Sequence, residues 1–178
     1  MHSFLKNNVF SISFGTSISK FAGCVRQIFI AAAFGVGVTY DAFNYAYIIP
    51  GFLLIIIGGI NGPLHNAVVA VLTPLNKKHG GIVLTQVSIK LSILLFGLAI
   101  LIYFNSSLLI ELLAPNLSYE AKSIATYQLR ILTPCIPLSG FIGLSFGALN
   151  SRKKFFLSSI SPAITSVTTI LFILFSWI

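Results

Sequence analysis

Residues 9–34 read VFSISFGTSISKFAGCVRQIFIAAAF, an apolar run long enough to cross a bilayer, with Lys20 and Arg26 in its middle. Spanning about 30 Å of hydrocarbon takes roughly 20 helical residues, and each cation held at the centre costs about 3 kcal/mol. At 1.5 Å per residue Lys20 starts about 17 Å from Val9 and Arg26 about 14 Å from Gly35, so snorkelling to the headgroups accounts poorly for either. On a helical wheel Ser13, Thr16, Ser17, Lys20, Cys24 and Gln27 share one arc, with Gly23 at its edge. Arg26 is rotated about 120° from Lys20, beside Ser19 and Gly15. A helix polar over roughly half its circumference cannot favourably meet lipid, so it is expected to line a hydrated chamber and offer positive charge to an anion.

The remaining sequence extends this reading. Of its 178 residues 56% are hydrophobic and 8% charged, with a mean hydropathy of +0.97, which excludes an ordinary soluble domain. The composition predicts an all-α integral membrane protein, one bundle over 1–178, with about five transmembrane helices near 9–35, 41–76, 81–104, 119–149 and 155–177. Polar, Gly or Pro punctuation separates them: Gly35-Val-Gly37 with Thr39 and Asp41, Asn76-Lys-Lys-His-Gly-Gly81, Ala114-Pro-Asn-Leu-Ser118 and Asn150-Ser-Arg-Lys-Lys154. Ser118 and Asp41 are expected to cap the helices that follow them. A straight helix from Asp41 to Lys77 would be about 54 Å long, so the second segment is expected to bend or break at Pro50 or at Gly58-Gly59 and Gly62-Pro63. Pro134 and Pro137 should bend the fourth segment and Pro162 the fifth. Gly58-xxx-Gly62 and Gly143-xxx-Gly147 have the spacing that lets helices approach closely. With alternating crossings, Lys6, Lys77, Lys78, Arg152, Lys153 and Lys154 fall on one side. That places the N-terminus in the cytoplasm, the C-terminus outside and Trp177 at an interface.

The formal charge of +8 has no free basic arm or helix face to carry it along a phosphate backbone, so nucleic acid is not an expected partner. The three acidic residues are far apart and none adjoins a histidine, so no catalytic constellation is present. Neither a metal array nor a phosphate-cradling glycine signature calls for a cofactor. His65, alone on its segment, reads as hydrogen-bonded packing, and Cys24 and Cys135 as small buried residues. Arg130, about eleven residues into the fourth segment, repeats the anomaly of the first and is expected deep in the same chamber. Lys90 is nearer its helix end, within snorkelling reach.

The run Ser19-Lys-Phe-Ala-Gly-Cys-Val-Arg26, then Ala33-Phe-Gly-Val-Gly37, Asp41-Ala-Phe43 and Ile49-Pro50, resembles the opening of MurJ/MviN family lipid II flippases. Arg130-Ile-Leu-Thr-Pro134, Gly147-Ala-Leu-Asn150, Phe155 or Phe156, and Ser161-Pro162 resemble the same family's fourth and fifth helices, so the likeness covers essentially the whole chain. It implies a transporter of the MATE-like superfamily, not an enzyme. Such a protein moves lipid-linked peptidoglycan precursor from the cytoplasmic to the outer leaflet of the bacterial inner membrane by alternating access, for cell wall synthesis. The implied partners are an undecaprenyl-pyrophosphate-linked lipid and membrane lipids. The implied substrate-binding residues are Lys20, Arg26, Asp41 and Arg130: Arg26 stands at a cavity arginine that engages pyrophosphate, Lys20 replaces another arginine without its bidentate fork, Asp41 matches the family aspartate, and Arg130 supports the cavity. Two features depart from the family. Gly51 and Leu54 stand where an Asn and an Arg commonly follow the helix-two proline, and Gly59-Ile60 replaces an acidic-glycine pair, so one cation is missing. Family members also have many more helices, in two lobes. The chain therefore reads as the start of one lobe, an N-terminal portion, or one part of a split transporter whose remaining helices a second polypeptide supplies. Export of another polysaccharide lipid or a small molecule, and a non-transporting membrane fragment, stand as the alternatives.

Overall fold

The computed structural model describes residues 2–35, 37–59 and 62–176, and side chains only from residue 12; Ile60 and Trp177 lie outside the described residues, as does the side chain of Lys6. Among the described residues there is no strand. Eight helices follow one another: α1 (His2–Phe34), α2 (Val38–Ile56), α3 (Pro63–Leu72), α4 (Lys77–Phe104), α5 (Ser106–Leu113), α6 (Tyr119–Leu132), α7 (Cys135–Ser151) and α8 (Phe155–Ser176). Ile12–Phe34, Lys77–Phe104 and Phe155–Phe175 are each long and apolar enough to cross a membrane, and α6 with α7, bent by 43°, makes a fourth such tract. The protein is thus an all-α membrane protein. Its chain packs as two compact units, 1–36 with 152–178, and 37–151.

In the first unit α1 and α8 run side by side in the same direction. A Cβ on Gly15 would lie 3.0 Å from Ser159 and 3.6 Å from Phe156, the Ser19 hydroxyl donates to the Ser159 carbonyl at 2.6 Å, and Gly23 faces Ser166 at 4.0 Å. In lipid, where apolar surface gains little by being covered with protein, small residues drive such pairing by letting backbones approach. The α8 hydroxyls are satisfied within their own helix: Ser159 donates to the Phe155 carbonyl at 3.0 Å and Ser166 to the Pro162 carbonyl at 3.2 Å. α8 runs through Pro162 as one helix. Gly35, at φ +61°, ends α1 with its N–H on the Ala31 carbonyl at 2.9 Å.

The second unit holds two membrane-length tracts, α4 and the bent α6–α7 pair, beside the shorter α2 and α3. The second segment is broken after Ile57, as its length demanded. Gly58-Gly59 release the chain, and Gly62 and Pro63 start α3 as cap and first residue. Pro50 lies inside a continuous α2. The fourth segment breaks at Thr133-Pro134, because Pro134 has no N–H for the Arg130 carbonyl; the Thr133 hydroxyl donates to that carbonyl instead, at 2.7 Å. α3 runs parallel to α7, and the break between α2 and α3 lies against Ser139 and Gly143 of α7. Gly143 has no room for a Cβ beside the Ile57 carbonyl, a Cβ on Gly58 would meet the Ser139 carbonyl at 3.0 Å, and one on Gly147 would lie 2.6 Å from Val68. α4 returns antiparallel to α7, with Leu95 and Leu91 over Gly140. The main core joins Ala42 and Ala46 of α2, Leu95, Ala99 and Ile102 of α4, Ile110 of α5, Ala125 and Leu129 of α6, and Ile136 of α7.

The segment bounds differ where capping decides them. α2 begins at Val38 with Gly37 as its cap, so Asp41 lies inside the first turn and is not the N-cap expected of it. Ser118 does cap α6, its hydroxyl accepting from the Ala121 N–H at 3.3 Å, and Asn76 caps α4 through the His79 N–H at 2.9 Å. α5 occupies residues that the sequence pattern left between segments; Asn105 divides it from α4 by bonding its side chain to the Leu101 carbonyl at 2.8 Å.

Candidate functional site

The polar half of α1 separates into two surfaces. Ser13, Ser17, Lys20, Cys24 and Gln27 are exposed, so the arc centred on Lys20 is uncovered in this unit. Gly15, Ser19 and Gly23 form the seam with α8, and Arg26 continues that stripe, within about 20° of Gly15 at 100° per residue. The consequence is visible at its guanidinium: Arg26 is half-buried, and its Nε is a buried donor with no hydrogen-bond partner among the described residues. Leaving a buried charged donor unsatisfied costs more than a typical hydrogen bond contributes, so such groups in native structures call for a specific explanation. An anionic group bound at Arg26 would supply it.

Asp41 and Arg130 belong to the second unit. Asp41 is exposed in the first turn of α2, where a carboxylate is favoured by the helix dipole, and lines an open cavity of about 540 Å³ with Val38, Asn44, Tyr45, Leu117, Ser118 and Ala121. Arg130 is exposed near the end of α6. Its Nε donates to the hydroxyl of buried Ser106 at 2.8 Å, and its guanidinium carbon stands 5.7 Å from the Tyr103 ring centroid. These contacts tie Arg130 to the α4–α5 junction. Tyr103 and Ser106 left no sequence signal, since their role depends on α5 being helical. Glu111 of α5 and Lys122 of α6 pair at 3.7 Å further along the same two helices.

The other singled-out residues resolve differently. His65 is buried, accepts at Nε2 from the Asn150 amide at 2.8 Å and donates from Nδ1 to Asn66 at 3.2 Å, a satisfied packing histidine. Cys24 and Cys135 are free and exposed, not buried as expected; an apolar segment can be covered by lipid, so its small residues need no protein cover. Lys90 is exposed on α4.

Broken and unbroken apolar helices, three or four of them long enough to cross a membrane, define a polytopic all-α membrane protein. The comparisons narrow the class. Residues 30–177 match the family model described as "Lipid II flippase MurJ", and the chain belongs to that family. It is 44% identical over 160 residues to a probable lipid II flippase MurJ of Synechocystis, an alignment covering 90% of this chain and 30% of the relative. It is 30% identical to the lipid II flippase MurJ of Thermosipho africanus, covering 89% and 33%, and 27% identical to a probable lipid II flippase MurJ of Thermotoga maritima, covering 98% and 36%. The chain therefore spans about a third of the length of these relatives. No solved structure matches it.

Proposed function

We propose that the chain takes part in translocating a lipid-linked peptidoglycan precursor across the bacterial inner membrane, with Arg26 and Lys20 engaging its pyrophosphate. The observation that carries this reading is the buried, unpartnered Nε of Arg26 on a helix whose neighbouring arc is polar and open. Charge-assisted hydrogen bonds from a guanidinium and an ammonium would hold a diphosphate headgroup while the polyprenyl tail stays in lipid. Asp41 supplies a counter-charge at the start of α2, and Arg130 offers a third cation at the far end of the second unit. Orientation follows from the positive-inside rule: Lys77, Lys78 and Arg152–Lys154 are cytoplasmic, so the N-terminus is inside and the last helix ends outside. Alternating access requires two units rocking about a site, and relatives three times as long have chain enough for both; helices beyond these eight complete the transporter, in the same or a second polypeptide.

The test is photo-crosslinking from Gln27, beside Arg26 on the open arc, with a short-chain polyprenyl diphosphate probe and its neutral alcohol counterpart. Labelling is expected from the diphosphate and not from the alcohol, and to fall in Arg26→Gln. Labelling indifferent to headgroup charge would reject the assignment and favour export of an uncharged substrate.

A further inference from the structure

Arg130 differs from the α1 cations in that its side chain is already held in place. Ser106 accepts from Nε, the Tyr103 ring lies beside the guanidinium, and in this exposed residue the terminal nitrogens have no partner among the described residues. No carboxylate answers it. The chain has three acidic residues; Glu111 is paired with Lys122, Asp41 lies in the first turn of α2, and Glu120 is in the first turn of α6, about 15 Å of helix away. Among the described residues no carboxylate therefore pairs with Arg130, and its counter-ion would be supplied by lipid, solvent or further protein.

Its level relative to the membrane identifies the source. α4 has 28 residues, and at 1.5 Å each it is about 42 Å long, against about 30 Å of hydrocarbon and 40–45 Å including headgroups. With Lys77 and Lys78 at one surface, Tyr103 and Ser106 emerge in the headgroup layer of the opposite leaflet, and Arg130 with them. Even counted from Ile82, the first large apolar residue after Gly81, α4 covers about 33 Å before Phe104. The aromatic pattern agrees: all six tyrosines lie between Tyr40 and Tyr127, on the first half of α2, the end of α4 and α6, at this end of the unit. Of these, Tyr47, Tyr103, Tyr119 and Tyr127 are exposed, as side chains of an interfacial belt would be. Past Ser106 and Arg130 the two helices carry the polar run Tyr119-Glu-Ala-Lys-Ser123 and the Glu111–Lys122 pair beside the exposed Leu108 and Leu112 of α5, an amphipathic mix suited to an interface.

We infer that Arg130, Tyr103 and Ser106 form a binding site for the phosphate of a lipid in the leaflet opposite Lys77 and Lys78. The two terminal nitrogens present the planar fork that matches a phosphate bidentately, Ser106 fixes its direction, and Tyr103 shields one face from water. The site needs only a phospholipid headgroup at that depth and does not depend on what, if anything, the chain transports.

The chain is extracted into a mild detergent, and lipid retention is measured by native mass spectrometry with three probes: phosphatidylglycerol, an uncharged diglucosyl diacylglycerol and soluble glycerol phosphate. Phosphatidylglycerol is expected to be retained over the glycolipid, Arg130→Gln to lower that retention about tenfold and Arg130→Lys to give an intermediate loss, while Lys90→Gln leaves it unchanged. Glycerol phosphate in excess should not displace the lipid. Equal retention of the uncharged glycolipid, or unaltered retention in Arg130→Gln, overturns the site. Full displacement by glycerol phosphate overturns its assignment to lipid in favour of a free anion. Because Arg130→Lys keeps the charge and needs little repacking, it decides the matter even where Arg130→Gln fails to fold.

Discussion

Arg26 and Arg130 are the same residue type at the same kind of place, a long side chain on an apolar helix, yet their surroundings are opposite. Arg130 is exposed and braced by Ser106 and Tyr103, whereas Arg26 has its Nε buried beside the α1–α8 seam with no acceptor among the described residues. The difference teaches which of the two the fold itself needs. A braced, exposed arginine contributes to its unit and stays solvated. A half-buried arginine with an unsatisfied donor costs the unit that holds it, a cost that a bound anion would offset under the function proposed above.

That contrast is broken most sharply by Arg26→Met, which keeps the length and removes the charge. Transport by the full-length protein is expected to fall to background while the stability of the helix pair rises by about 1–3 kcal/mol, the desolvation penalty being removed. Thermal unfolding in detergent and a lipid-flipping assay on the same preparation check the two halves together. Loss of both stability and transport would mean that Arg26 is paired within the protein, and the comparison with Arg130 would lose its basis.

Next in size is the packing that brings the Arg130 side of the comparison into being. Gly147→Leu drives a side chain into Val68 and His65, where even a Cβ would lie 2.6 Å from Val68, so the α3–α7 contact should open. An overpacked site of this kind costs typically 1–3 kcal/mol. The corresponding change at Gly97, which has nothing within 4 Å, should cost far less, and a urea titration of the two variants measures the gap.

Much of this was legible in the sequence because membranes reward few devices. Length set the spans, Gly58-Gly59 and Pro134 marked the breaks, and serine, threonine and lysine at helical spacing marked the polar side of α1. What was not legible is which part of that polar side faces a neighbour. Glycine and serine are the residues of a hydrated surface and equally of a close helix seam, and only the partner decides; here α8 takes Gly15, Ser19 and Gly23 and leaves the Lys20 arc open. The brace on Arg130 was hidden for a related reason, since Ser106 becomes its neighbour only when α5 folds back against α6. Asp41 escaped as a cap because Gly37, with no side chain to offer, begins the helix four residues earlier.

The division of α1 into an open arc and a seam also has a direct chemical readout, smaller in energy than the others. Cys24 lies on the open arc and is exposed, so after Cys135→Ser it should react with a membrane-impermeant maleimide if water reaches that arc. In a Cys24→Ser, Cys135→Ser background, single cysteines at Ser17 and Gln27 should label comparably, and one at Ser19, whose hydroxyl donates to the Ser159 carbonyl at 2.6 Å, should be protected. Substituting either arc position moves stability by no more than about 0.5 kcal/mol, as for surface residues generally, whereas Ser19→Cys loses a hydrogen bond and should cost about 1 kcal/mol. Labelling at Ser19 equal to that at Ser17 would mean the seam is hydrated as well. Arg26 would then have water for a partner, and its contrast with Arg130 would reduce to one of depth.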